Sequence, residues 1–139
     1  MAQLSSDQAR AVANGFTDAV DAVRGILMNN NIPLSRGEAA ALSSDLTSLT
    51  NFSANLAVVA AKLAFQDADD AFTRITNATT QANADAKSIS ANAAKITAVV
   101  NVFASVVRLG MAFTSGPLAV LQAAGDVETA VQASQQADS

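Results

Sequence analysis

The longest stretch of this chain without a glycine or proline lies between Gly37 and Gly110 and contains 72 residues. Glycine and proline are the residues that most often interrupt helices, so the sequence allows a helix to continue through this stretch. One helix over about 36–112 would be roughly 110 Å long at 1.5 Å per residue. Helices of compact domains average only about three to four turns. The stretch is therefore predicted to form either a long rod or a helical hairpin.

Two sets of apolar residues follow helical spacing inside this stretch, and their registers differ by about one residue. The first set repeats mainly every seven residues, as in a coiled coil, and consists of Leu42, Leu46, Leu49, Leu56 and Leu63. The second set continues at steps of three and four or their multiples, and consists of Ile75, Ala82, Ala86, Ile89, Ala93, Ile96, Val100, Phe103 and Val107. The change of register predicts that the chain turns between the two sets.

Weak helix formers lie close to this change of register, namely Asn77, Thr79, Thr80 and Asn83. We therefore predict a break within residues 66–83. The helices on its two sides are expected over about 36–76 and 82–113, and they form an antiparallel hairpin. One very long helix over about 36–112 is the alternative.

Helix start and stop signals flank the central stretch on both sides. Ser5 followed by Gln8 is a capping-box pattern, and the residues after it place charged and apolar side chains on opposite sides of a helix over about 6–29. Pro117 suits the first position of a helix over about 117–133. The prediction is one all-α domain over 1–139, an antiparallel bundle of about four helices with a long central helical hairpin.

The densest acidic cluster consists of Asp67, Asp69 and Asp70. A calcium-binding EF-hand loop starting at Asp67 would need glycine at its sixth position and glutamate at its twelfth. Phe72 and Ala78 stand there instead. We expect a solvated turn or a helix start.

The chain has no cysteine and no histidine. It therefore has no thiolate nucleophile, no imidazole base and no zinc site built from these residues. We expect no catalytic, cofactor-binding or metal-binding residues and no enzymatic activity. A formal net charge of −4 and scattered lysines and arginines argue against nucleic acid as a partner.

The first ten residues carry neither a basic segment nor an apolar run, so we expect no secretory signal peptide. The sequence has no run of eighteen or more apolar residues, so no constitutive transmembrane span is predicted. The sequence leaves the location open between cytoplasmic and exported without a cleavable signal.

Residues 96–125 contain one charged side chain, Arg108. On a helix, apolar residues of this segment form a candidate packing or insertion face: Val99, Val100, Phe103, Val106, Val107, Met111 and Phe113. The narrow remaining sector is a candidate polar stripe of Thr97, Asn101, Ser105 and Arg108. One interpretation is a buried helix of the bundle. The other is an apolar hairpin over 96–125 that inserts into lipid.

Alanine-rich faces in the central stretch allow helices to approach closely, and the low share of charged residues leaves apolar surface exposed. We expect a non-enzymatic protein that acts by helix packing. It is a self-assembling homo-oligomeric subunit or binds a helical protein partner, and association is expected along residues 40–113. One alternative is a membrane-active, pore-forming or toxin-like protein that inserts the hairpin 96–125. The other is a carrier of an apolar ligand in the bundle core.

Overall fold

A computed structural model describes residues 2–137 of the chain and shows an all-α bundle. Within these residues there are five helices, α1 Ser6–Met28, α2 Arg36–Lys62, α3 Ala68–Lys87, α4 Ala93–Ala112 and α5 Pro117–Gln136. Two short strands, β1 Ala2–Gln3 and β2 Ala64–Phe65, pair in antiparallel orientation.

The first and last helices agree closely with the sequence prediction. Ser5 caps α1, because its hydroxyl accepts from the Gln8 amide while the Gln8 side chain accepts from the Ser5 amide, each at 3.0 Å. Pro117 occupies the start of α5, and Gly116 before it has a φ of 131°, a conformation that glycine adopts without strain. The fifth helix continues to Gln136, three residues beyond its predicted end.

The central stretch forms three helices, so both the predicted helices 36–76 and 82–113 and the single helix over 36–112 are wrong. The second helix ends at Lys62, because Ala64 and Phe65 are extended and pair with Gln3 and Ala2 near the N-terminus. The third helix then begins behind Asp67, whose carboxylate accepts from the Asp70 amide. This confirms that the acidic cluster is a helix start.

The predicted break at the weak helix formers is absent, because Thr79 and Asn83 are inside α3. The Thr79 hydroxyl donates to the Ile75 carbonyl one turn earlier, which satisfies it within the helix. The Asn83 side chain donates to the Gly15 carbonyl of α1 at 3.2 Å. Contacts between helices thus outweigh weak propensity here. The second break in the central stretch instead covers residues 88–92. Asn92 caps α4, because its side-chain oxygen accepts from the backbone amides of Ala94 and Lys95.

Each helix packs mainly on two neighbours, in the order α1, α2, α4, α5, α3 and back to α1 around the bundle. The first and third helices run in parallel, because Gln8 contacts Asp69 near their starts and Gly15 contacts Asn83 further along. The second helix is antiparallel to α1, and the fourth is antiparallel to α5. Near their starts α2 and α4 meet at Glu38 and Thr97, and further along they meet at Phe52 and Gly110, so these two helices form a parallel pair.

One apolar core collects buried side chains from all five helices. The Phe16 and Phe52 rings meet edge to face with centroids 5.9 Å apart. The Phe52 ring also packs directly on Gly110 of α4, where a Cβ atom would overlap it. These contacts fix how α1, α2 and α4 meet. The three leucines Leu42, Leu49 and Leu56 of the seven-residue repeat are buried in this core.

Candidate functional site

The candidate packing or insertion face of α4 is divided by the fold. Its buried members are Val99, Phe103, Val106 and Phe113. Val100 and Val107 are partly buried, and Met111 is 57% exposed. Most of this face therefore fills the bundle interior, and Met111 is the member in contact with solvent.

The candidate polar stripe is divided as well. Thr97, Asn101 and Arg108 are exposed, but Ser105 is buried and donates its hydroxyl to the Asn101 carbonyl at 3.1 Å. The Thr97 hydroxyl lies 3.4 Å from a Glu38 carboxylate oxygen of α2. The stripe therefore lies beside α2 and partly in solvent.

Among residues 2–137, α4 is the one helix that is long and apolar enough to cross a membrane. The helix qualifies by length and composition only, and half of that segment is buried inside the bundle. A core helix of a soluble protein has the same properties.

A fully buried lysine, Lys95, lies at the start of α4. Its ammonium lies 2.8 Å from Oδ1 of Asp85 in α3, with their side chains 0% and 2% exposed. The ammonium also donates to the carbonyl and hydroxyl oxygens of Ser134 in α5, at 3.1 and 2.9 Å. These contacts join the ends of three helices.

This buried cluster connects α3, α4 and α5 and is closed to solvent. The Lys95 side chain donates to the Asp85 carboxylate and to both oxygens of Ser134, so the three residues hold one another in place. Ser134 has no exposed surface, so a substrate has no access to its hydroxyl. The cluster therefore fixes α5 against α3 and α4.

Sequence reasoning missed Lys95, although a signal was present. Lys95, Val99 and Val102 recur at steps of four and three, and Val106 and Leu109 continue the same row. Such spacing places Lys95 on the core side of the helix. Its partners come from two other helices, and the sequence alone does not bring them together.

The outward side of the α2 and α4 pair is weakly polar. We call it the α2/α4 outer face and define it by Ser44, Asn51 and Val58 on α2 and by Asn101, Arg108 and Met111 on α4, all of which are exposed. Val58 is 63% exposed and Met111 57%. Between Ala39 and Ala61, Asp45 is the one ionisable residue of α2.

Asp45 lies at the edge of this face in a half-buried position. Its Oδ2 atom is buried and accepts no hydrogen bond from residues 2–137. Burial raises the pKa of the Asp45 carboxyl above its usual value, and the positive charge of Arg108 offsets part of that rise. A carboxylate oxygen without a partner is costly, so Asp45 would gain from a further donor.

Comparison with known proteins finds no matching family model, no matching curated protein and no matching solved structure.

Proposed function

We propose that this protein is a non-catalytic helical subunit that associates with a second copy of itself through the α2/α4 outer face. The observation that carries the proposal is the exposure of Val58 and Met111 on a face that has few charges. Covering exposed apolar side chains with another protein surface lowers the free energy.

The polar residues of this face can be buried against another protein at a low cost in hydration free energy. Ser44, Asn51 and Asn101 carry hydroxyl and amide groups. Such groups lose less hydration free energy on burial than lysine or glutamate side chains, and they find hydrogen-bond partners readily. The face thus suits helix packing against another weakly polar helical surface.

The size of the face fits a stable dimer. The 27 residues of α2 correspond to about 40 Å of helix at 1.5 Å per residue. The 20 residues of α4 add about 30 Å of helix, and with each helix roughly 10 Å wide the face covers about 700 Å² per copy. That area is close to what a standard protein–protein interface buries on each partner.

The charges of the face suit a two-fold symmetric contact. In such a contact each copy presents the same residues, so the surface must complement itself. Arg108 on this face and the half-buried Asp45 at its edge carry opposite charges. In the dimer, each Arg108 guanidinium would pair with the Asp45 carboxylate of the other copy.

Size-exclusion chromatography with light scattering tests this proposal on two matched variants. Met111→Glu places a charge on the outer face. Met28→Glu places the same charge at the end of α1, on a methionine that is 74% exposed against 57% for Met111. We expect Met111→Glu to reduce the dimer fraction and Met28→Glu to leave it unchanged. Equal dimer fractions in the two variants would reject the outer face as the contact surface.

Membrane insertion is the second candidate function, favoured by the length and apolar composition of α4. To insert, α4 would have to leave the core and separate Lys95 from Asp85, which opposes this activity in the closed bundle. Leakage of dye from anionic lipid vesicles at micromolar protein would support insertion. Intact vesicles, together with dimerisation in solution, would favour the packing function.

A further inference from the structure

A groove of about 710 Å³ lies between α1 and α3 on the side away from the α2/α4 outer face. The two helices approach closely at Gly15, where an added Cβ atom would lie 2.6 Å from the Thr79 hydroxyl oxygen. Beyond this point the groove extends toward Asn29 and Ile89, where both helices have ended. Its volume is typical of small-molecule sites.

Hydrogen-bond acceptors line one part of the groove. The carboxylates of Asp18 and Asp21 lie along the α1 wall, and Asn83 lies in the α3 wall. The Asn83 side-chain nitrogen donates to the Gly15 carbonyl. The Oδ1 atom of Asn83 is buried and has no hydrogen-bond partner among residues 2–137. Asn83 therefore holds α3 against α1, and the exposed carboxylates of Asp18 and Asp21 are the acceptors open to a ligand.

The electrostatics of the groove favour a cation. Parallel helices α1 and α3 both end beside it, and the C-terminal end of a helix carries partial negative charge. The last turn of α1 has no basic residue. Lys87 is the one cation among the lining residues, against the two aspartates. Arg24 lies 3.9 Å from Asp21 but is well exposed, and such surface pairs are weak.

The floor of the groove is apolar and is formed by Ala22, Ile26 and Ile89. We propose that the groove binds a small linear aliphatic diamine. One ammonium group donates to the Asp18 carboxylate, and the hydrocarbon chain lies along Ile26 and Ile89. The other ammonium group lies at the C-terminal ends of α1 and α3. Charge-assisted hydrogen bonds orient the amine, and burial of its methylene groups adds affinity. This site is independent of dimerisation.

Titration of the full chain with cadaverine, followed by isothermal calorimetry and by amide chemical shifts, tests the proposal. Pentanediol is the matched ligand control, because it has the same chain length and no charge. We expect saturable binding of cadaverine, with shifts confined to α1 and α3, and no saturable binding of pentanediol. Absence of saturable cadaverine binding, or equal binding of the diol, would overturn the proposal.

Two pairs of variants locate the site. A Cβ atom at Gly25 meets nothing within 4 Å, so Gly25→Leu fills the groove without a clash, and Gly125→Leu makes the same change at an equally open glycine of α5. We expect Gly25→Leu to abolish binding and Gly125→Leu to preserve it.

The second pair removes one carboxylate charge. Asp18→Asn should weaken cadaverine binding about tenfold, which corresponds to loss of one charge-assisted hydrogen bond. Asp126→Asn removes the same charge from an exposed position on α5 and should leave the affinity unchanged. Equal losses in both variants would mean that cadaverine responds only to net charge, and would overturn the proposed site.

Discussion

Lys95 of α4 and Asp85 of α3 form an ion pair of 2.8 Å that is almost completely out of contact with solvent. Removing two charges from water costs free energy that their mutual attraction only partly returns. Because the Lys95 ammonium also donates to Ser134, the pair fixes the ends of three helices in one arrangement. We therefore expect the ion pair to contribute more to selecting this one arrangement of the helices than to the net stability of the bundle.

Lys95→Met should lower the free energy of unfolding by about 3–5 kcal/mol, because it leaves the Asp85 carboxylate buried without its counter-charge. Urea denaturation followed by circular dichroism measures this change. Lys87→Met at the exposed end of α3 is the matched control and should change stability by less than about 0.5 kcal/mol. The double variant Lys95→Met with Asp85→Leu should recover most of the loss. A loss below about 1 kcal/mol for Lys95→Met would contradict this account of the pair.

Gly15→Ala should destabilise the bundle by about 1–3 kcal/mol, because the new methyl group would clash with Thr79 and force α1 and α3 apart. Gly25→Ala, on the same helix with open space around it, should stabilise by about 0.4–1 kcal/mol. Thermal denaturation of the two variants gives the comparison. If both substitutions stabilise the chain equally, the close contact at Gly15 does not exist.

Asp45→Asn should stabilise the monomer at neutral pH. A carboxyl whose folded-state pKa is raised binds its proton more tightly in the folded chain, so the free energy of unfolding falls as pH rises through that pKa. Asp45→Asn removes this loss of stability above the folded-state pKa. Below the unfolded-state pKa the substitution changes the free energy of unfolding little. We expect a gain of less than about 1 kcal/mol, because part of the carboxyl group is in water.

Denaturation curves of dilute protein at acidic and neutral pH measure the effect of Asp45→Asn, with Asp126→Asn as the exposed control. A destabilised Asp45→Asn variant at neutral pH would show that the carboxylate has a favourable partner in the monomer.

The helices with strong local signals could be predicted from the sequence. The capping box at Ser5 and Gln8 and the proline at Pro117 set the starts of α1 and α5, and both act within one turn of the chain. The end of α2 at Lys62 has no such signal. It depends on pairing of Ala64 and Phe65 with the N-terminal strand, which is distant in sequence.

The candidate site was predicted only in part, for a related reason. Helical spacing placed Val99 and Phe103 on one face of α4, and both are buried. Whether Met111 on that face lies in the core or in solvent depends on where α2 and α5 pack. The groove depends on how far α1 and α3 separate beyond Gly15, which spacing within either helix does not determine.

Sedimentation equilibrium of the full chain at micromolar to millimolar concentrations measures self-association directly. We expect a reversible rise from the monomer mass of 14.1 kDa to twice that mass. Val58→Glu on the α2/α4 outer face should shift the transition to higher concentration, since a charge there opposes burial of the face. A single species of 14.1 kDa at every concentration would contradict self-association.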